Sequence, residues 1–302
     1  MNSSAQVELG GRTLTLSNLD KVFYPRSGFT KAQVIDYYAR ISPWLLPHLR
    51  DRPLTLKRYP DGVEGPFFYE KRCPRHAPRW VQTAPVWSEG NQEDVNFCLA
   101  NDLPTLVWAA NLADLELHTS LARWRPIDQP TSLVFDLDPG EPADLLDCCE
   151  VALWTRAFLD SLGLKSFPKT SGSKGLQLYV PLNRPITYEQ TKPFAHALAQ
   201  QLEREHPTRV VSKMLKKLRT GKVLVDWSQN DPRKTTVCVY SLRAKDRPTV
   251  STPVTWPELE HALNQRDVGA LTFDAGQVLA RAERLGDLFE PLLTLKQTLP
   301  SI

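Results

Sequence analysis

Nowhere in these 302 residues does an uninterrupted apolar run reach the length of about 18 that spans a bilayer, so no transmembrane helix is expected. The amino terminus lacks a basic segment followed by an apolar one, and polar Asn2 to Ser4 do not read as a secretory signal. No internal repeat, low-complexity tract or Pro/Gly/Ser linker divides the chain, which is therefore read as one domain with two lobes. Cysteine is sparse: of the five, none forms a C-x-x-C pair, and Cys148 and Cys149 are adjacent. A disulfide framework is not expected from this odd number, in keeping with a reducing cytoplasm. Cys73 and His76 have the spacing of half a zinc site, but no second half follows, which favours a structural role. Net charge is only +3, so charge alone does not announce a nucleic-acid binder.

The distribution of charge says more. Lys213, Lys216, Lys217, Arg219 and Lys222 form a run free of acidic residues, suited either to phosphates or to a solvated helix end. Hydrophobic residues make up 41% and charged residues 24%, as in ordinary globular proteins, and the 25 prolines imply frequent turns.

Periodicity supplies the elements. Residues 12–16 alternate as an edge strand, and Thr30 with Gln33 forms a capping box before Val34, Tyr38, Ile41 and Leu45 at helical spacing. Pro43 is expected to bend that helix, or to end it and start another. Strands are expected at 53–59 and 67–71, a helix through 104–113 and a strand near 115–119. Further expectations are a helix from Pro142 to Leu162, strands near 165–169 and at 176–181, and a helix from Thr187 to His206. Strands at 223–227 and 236–240 and helices near 256–264 and 274–285 complete the pattern, a sheet covered by helices in an α/β (α+β) fold.

The clearest strand, Leu133 to Asp138, carries the chemistry. Strand side chains alternate faces, so Asp136 and Asp138 share one face while Leu133, Phe135 and Leu137 point to the core. Neighbouring carboxylates repel, and a hard divalent cation relieves them. Asp-x-Asp also occurs by chance, in glycosyltransferases and in calcium loops; its place at a strand end favours a metal site. Asp226, after apolar Val223 to Val225, would make a third carboxylate, the set used by two-metal phosphoryl transfer. Ser171-Gly172-Ser173-Lys174-Gly175 is either an ordinary turn or an anion cradle; it is not a Walker A loop. Lys234 and Arg243 could add countercharge. A lone His is more often structural, but His118 shares a strand face with Glu116, where either could serve the site. Phe67 and Phe68, among Lys57, Arg58, Lys71 and Arg72, suit stacking on nucleic acid or a place in the core.

Taken together these motifs resemble the polymerase domain of bacterial DNA ligase D, within the archaeo-eukaryotic primase-polymerase superfamily. The resemblance runs from Leu14 to about Leu288. It rests on Ser17 to Pro25, Leu56 to Gly62, Val134 to Gly140, Thr170 to Leu176 and Val225 to Asn230, with Pro248 to Trp256 in support. It implies an N-terminal α/β lobe (about 1–115), a catalytic lobe like an RNA-recognition motif with mixed and antiparallel sheets (116–250), and a C-terminal helical segment (251–302). Asp136, Asp138 and Asp226 would be catalytic and hold two Mn²⁺ or Mg²⁺ ions. His118, Ser171, Gly172, Lys174, Gln177, Gln229 and Arg243 would bind the nucleotide. Asn18, Lys21 and Lys31 would hold a downstream 5′-phosphate, and Lys57, Phe67 and Phe68 would meet DNA.

The implied activity is addition of ribonucleotides or deoxynucleotides to DNA 3′ ends in gap filling and non-homologous end joining. Candidate partners are gapped or broken DNA, NTP or dNTP, Ku and an ATP-dependent ligase, in the bacterial cytoplasm by the nucleoid. Many members carry His where this chain has Gln177, and imidazole can carry a charge that an amide cannot. No ligase Lys motif and no nuclease domain appear, so the chain reads as a stand-alone paralogue or an excised domain. A non-catalytic DNA-end-binding paralogue and a metal-dependent glycosyltransferase are the alternatives.

Overall fold

The computed structural model describes residues 3–300, so Met1, Asn2, Ser301 and Ile302 of the expected 1–302 domain lie outside the described residues. The chain divides into two compact units, each discontinuous in sequence, where the sequence reading takes consecutive lobes. The first comprises Met1–Arg125, Val237–Val250 and Phe273–Asp287; the second comprises Pro126–Thr236, Ser251–Thr272 and Leu288–Ile302. Among the described residues no helix is long and apolar enough to cross a membrane.

In the first unit β1 (Ser4–Leu9) and β2 (Arg12–Ser17) form a hairpin closed by Gly10 and Gly11, both at positive φ. β3 (Val22–Tyr24) pairs with β4 (Phe29–Thr30) and leads into α1 (Lys31–Leu49). Thr30 and Gln33 cap that helix reciprocally, as their spacing predicts. Pro43 does not end it. The carbonyl of Ala39, which Pro43 cannot bond for want of an N–H, accepts from Ser42 Oγ at 2.8 Å. Val34, Tyr38, Ile41 and Leu45 are all 0% exposed along one face, so packing also holds the helix through its prolines.

The main sheet of this unit is built on β5 (Leu54–Arg58), which pairs with β6 (Phe68–Glu70), β8 (Glu93–Cys98) and β9 (Asp114–Thr119), while β7 (Thr83–Ser88) pairs with β8. α2 (Leu103–Asn111) packs on α1 and leads into β9. Cys73 and Cys98 form a disulfide, contrary to the expectation of none. The Cys73 N–H donates to Asn96 O at 2.7 Å, a contact distant in sequence that lays the loop beside the end of β8.

In the second unit the order β10 (Ser132–Pro139), α3 (Leu145–Ser161), β11 (Phe167–Thr170), β12 (Leu176–Pro181), α4 (Tyr188–Glu205), β13 (Val210–Val211) and β14 (Val223–Asp226) gives a five-stranded sheet ordered β11-β12-β10-β14-β13. α3 starts later than Pro142 because Asp144 is its N-cap, with Asp147 completing the box. β14 pairs with β10 only from Asp136 onward; beyond it Asn230 takes over, its Oδ1 accepting from Val134 N at 2.9 Å and its Nδ2 donating to Val134 O at 2.7 Å. The chain ends with β15 (Thr236–Val237), α5 (Trp256–Gln265) packed on α3, α6 (Ala275–Leu285) packed on α1, and α7 (Pro291–Thr294). β15 stops short of the expected 236–240, since Tyr240 has φ +64° and leaves strand geometry.

Candidate active site

Asp136 and Asp226 face one another across the antiparallel pair β10–β14. Asp138 lies two residues along β10 and so shares a face with Asp136. Burial, then the charges of Asp138 and Asp226, push the Asp136 carboxyl well above the usual carboxylate range; a hydrogen bond with the Gln177 side chain and the charge of Lys169 oppose the rise. Asp226 is 7% exposed and closes the turn that follows it. Its Oδ1 accepts from Ser228 N at 2.8 Å and Ser228 Oγ at 2.6 Å, and its Oδ2 accepts from Gln229 Nε2 at 2.9 Å. Lys234 Nζ in turn donates to Ser228 Oγ, extending that network to a cation.

The Ser171–Gly175 turn is fixed beside these carboxylates by a close approach. A Cβ on Gly175 would stand 2.3 Å from Leu137 O and 3.6 Å from Asp138 Oδ1, so only glycine lets the turn lie against β10. Ser171 Oγ accepts from Ser173 N at 3.2 Å and Gly175 N at 3.1 Å, and Ser171 N donates to Gly175 O at 2.9 Å. Gly172 occupies the positive-φ corner, and Lys174 is exposed, paired with Glu141 at 2.8 Å. On the other side of β10, a Cβ on Gly140 would meet Arg219 O at 2.0 Å, which docks the basic 213–222 segment against the end of that strand. Lys213, Lys216 and Lys217 in that segment are exposed.

Among the described residues no group of three or more His, Cys, Asp or Glu side chains is gathered into a ready metal cage. The donor chemistry still fits a hard divalent ion. Strand register sets Asp136 opposite Asp226 with Asp138 on the same face, and burial together with the charges of Asp138 and Asp226, which a cation would neutralise, raises the Asp136 carboxyl. Asp226 accepts three hydrogen bonds of the roughly four that its two oxygens can take, which leaves Oδ2 room for an ion.

The first unit carries a cationic cluster around Glu116, which is 1% exposed on β9. Its carboxylate accepts from Lys57 Nζ at 2.9 Å and Ala244 N at 3.0 Å, contacts His118 Nε2 at 3.1 Å and lies 3.4 Å from Arg243 Nε. Burial alone would raise Glu116, but the His118 hydrogen bond and the charges of Arg243 and Lys57 outweigh it and hold the carboxyl far below its usual range. Burial lowers His118. Lys57 also lies over aromatic faces, 4.6 Å from the Phe67 centroid and 5.3 Å from that of Tyr59. Phe67, Phe68 and Tyr69 are 51%, 43% and 56% exposed, so the rings are a surface platform and not core.

Asn18, Lys21 and Lys31 come together at the start of α1. Asn18 turns the chain at φ +55°, the Lys31 N–H donates to Lys21 O at 2.8 Å, and Lys31 Nζ donates to Ser17 O at 2.6 Å. Lys21 pairs with Asp61 at 2.7 Å. Burial, then the charges of Lys21 and Arg58, lower Lys31 from its ordinary value to about 8. Cations crowded at a helix amino terminus are of a kind that suits an anion.

A family model for the LigD primase-polymerase domain matches residues 30–289. The chain belongs to the LigD primase-polymerase family. It is 43% identical to the multifunctional non-homologous end joining protein LigD of Mycolicibacterium smegmatis over 284 residues, covering 92% of this chain and 36% of the relative. Identity to the bifunctional LigD of Bacillus subtilis is 34% over 251 residues, covering 83% of this chain and 40% of that protein. The chain thus spans little more than a third of these relatives' length. The solved polymerase domain of Mycobacterium tuberculosis ligase D in complex with DNA superposes with a TM-score of 0.86 at 40% identity, covering 94% of this chain and 99% of that one. The α/β fold is that of the LigD polymerase domain, and the family is one of DNA-repair nucleotidyltransferases.

Within the LigD frame, Tyr69 and Lys169 were not singled out in the sequence, and Glu116 takes a larger part than expected. Glu116 is the hub of its cluster and not merely the face-mate of His118. Tyr69 extends the aromatic platform. Lys169, read only as part of a strand, is buried on β11 behind the carboxylate row. The signal for Glu116 was its two-residue spacing from His118; for Lys169 the sequence offered none, since polar Ser166 and Thr170 lie on either side of it.

Proposed function

We propose that this chain is a polymerase that adds ribonucleotides or deoxynucleotides to DNA 3′ ends at gaps and double-strand breaks, in non-homologous end joining. The observation that carries this reading is the placement of Asp136 opposite Asp226 with Asp138 on the same face. Asp136, Asp138 and Asp226 are the residues that would hold divalent cations, Mn²⁺ or Mg²⁺. Such ions supply activation of the attacking 3′-hydroxyl and neutralisation of charge on the leaving pyrophosphate. The chain's own groups do the rest. Gln177 donates to Asp136; the Ser171–Gly175 turn, Lys174 and Gln229 meet phosphate oxygens in the second unit; His118 and Arg243, held by Glu116, offer donors to phosphate in the first. Phe67 and Phe68 stack on bases of the DNA, and Lys57 adds charge. Ku, a ligase and a place by the nucleoid in the bacterial cytoplasm follow from this role.

The test is incorporation of each NTP and dNTP into a one-nucleotide gap with a 5′-phosphate, in Mn²⁺. Extension by one nucleotide is expected; tight gap binding with no incorporation would turn the reading to a DNA-end-binding module. Turnover of a nucleotide sugar without DNA would turn it to a glycosyltransferase.

A pH prediction follows from Lys31. Its ammonium loses its proton as pH rises through about 8. Anisotropy measurements should therefore show affinity for 5′-phosphorylated gaps falling between roughly pH 7 and 9, where an ordinary lysine stays charged. DNA with a 5′-hydroxyl should show little of this loss, and Lys31→Met should remove the difference. Equal pH dependence for both ends would exclude Lys31 from the phosphate corner.

A further inference from the structure

Lys169 on β11 is 1% exposed, a burial that lysine rarely adopts without partners. Its ammonium donates to Gln177 Oε1 at 2.5 Å and to Ser251 Oγ at 2.6 Å, and lies 5.6 Å from the Tyr179 ring centroid. Ser251 is itself anchored, its hydroxyl donating to Thr170 O at 3.0 Å. Strand register sets these groups in one row across the sheet. Lys169 faces Gln177, Gln177 faces Asp136, and Asp136 faces Asp226. Gln177 is 3% exposed, so its amide has no water to turn toward.

The two ends of that amide are chemically distinct. An ammonium offers only donors, so the amide oxygen must face Lys169. The NH₂ group is then left for Asp136, whose carboxylate hydrogen-bonds the Gln177 side chain. A flipped amide would set NH₂ against the ammonium and oxygen against the carboxylate, two repulsive contacts in place of two attractive ones.

We propose that Lys169 is a positioning residue for nucleotide addition: it locks the Gln177 amide in the one orientation that donates to Asp136, and so fixes the carboxylate of Asp136 in place. The proposal rests on the polymerase reading of the carboxylates. The same lock would act on a histidine placed at this position. A neutral imidazole presents one acceptor nitrogen and one N–H, so the same lysine would select the tautomer that donates to the aspartate. Gln and His are then equivalent in what matters here, and Leu is not.

Two readouts test the lock. In the ¹⁵N-labelled protein, the side-chain NH₂ pair that vanishes in Gln177→His identifies Gln177; it should exchange slowly with solvent, and Lys169→Met should remove that protection. In gap filling, Lys169→Met should lower kcat about 10-fold, the scale for losing a group that orients a metal ligand, with nucleotide KM moving less than about 3-fold. Because the lock acts through Gln177, the double variant Lys169→Met, Gln177→Leu should be slower than Gln177→Leu alone by no more than about 2-fold, the part left to the direct charge of Lys169 on Asp136. Gln177→His should recover most of the loss seen in Gln177→Leu, and only while Lys169 is present. Multiplying losses, or an NH₂ pair still protected in Lys169→Met, would overturn the proposal. If that variant does not fold, the parent protein decides alone: a Gln177 NH₂ exchanging as fast as an exposed amide refutes the lock. Absence of incorporation by the parent would sink the polymerase reading, while the amide signal would still report on the lock.

Discussion

Asp136→Asn should abolish nucleotide addition while leaving the fold as stable as before or more so. Cation-assisted phosphoryl transfer gains several kcal/mol of transition-state stabilisation, so losing a ligand should cost on the order of 10³-fold in kcat. The stability half comes from the site's electrostatics. Burial and the charges of Asp138 and Asp226 raise the Asp136 carboxyl, so the charged form is disfavoured in the folded protein. A raised carboxylate destabilises the fold at pH above its folded value, and the penalty fades as pH falls toward the ordinary value near 3.9. In chelator, urea melts of the parent should therefore show stability rising from neutral to mildly acidic pH, and Asp136→Asn should flatten that rise. A variant that is both inactive and markedly less stable would mean that Asp136 is a structural strand-end residue.

Glu116→Ala should do the reverse to stability. Lys57, His118 and Arg243 converge on this one buried carboxylate. Removing one member of a buried charged group typically costs about 3–5 kcal/mol, because the partners stay buried without their countercharge. Glu116 is held below its usual range, so its contribution is present above the ordinary carboxylate value near 4.3 and is lost as pH falls further toward its folded value. Urea melts should show the deficit of Glu116→Ala at neutral pH and its shrinkage in acid. With His118 and Arg243 no longer held, nucleotide KM should rise as well. An unchanged midpoint at neutral pH would remove Glu116 from the role of hub.

Much of the second unit was legible because its signals are local. The alternation in Leu133–Asp138 is fixed by side chains within one strand, and β12 occupies the expected 176–181. The Thr30–Gln33 box is contained within four residues. What escaped reading depends on contacts distant in sequence. Nothing in either strand says that Asp226 stands opposite Asp136 and not Asp138; only the register does. The β7–β8 hairpin has Pro85 inside one strand, which weakens its pattern, and its disulfide to Cys73 depends on a backbone bond to Asn96. Of the two outcomes open at Pro43, an end to the helix was avoided through Ser42 bonding Ala39, a neighbouring hydroxyl that reads as unremarkable polarity. Lys169 escaped because its partners sit on β12 and beyond residue 250, so no window around position 169 contains its reason for burial.

The interleaving of the two units has a consequence for synthesis. α6, within Phe273–Asp287, belongs to the first unit, and Ser251, which anchors Lys169, belongs to the second. The first unit is not complete until the ribosome has passed residue 287, and the second needs the segment after it. Stopping translation near residue 250 would leave the carboxylate strands made and Lys169 without one of its anchors. Neither half can be excised as a single continuous fragment, and a split version would have to recover its closing segments from the other piece.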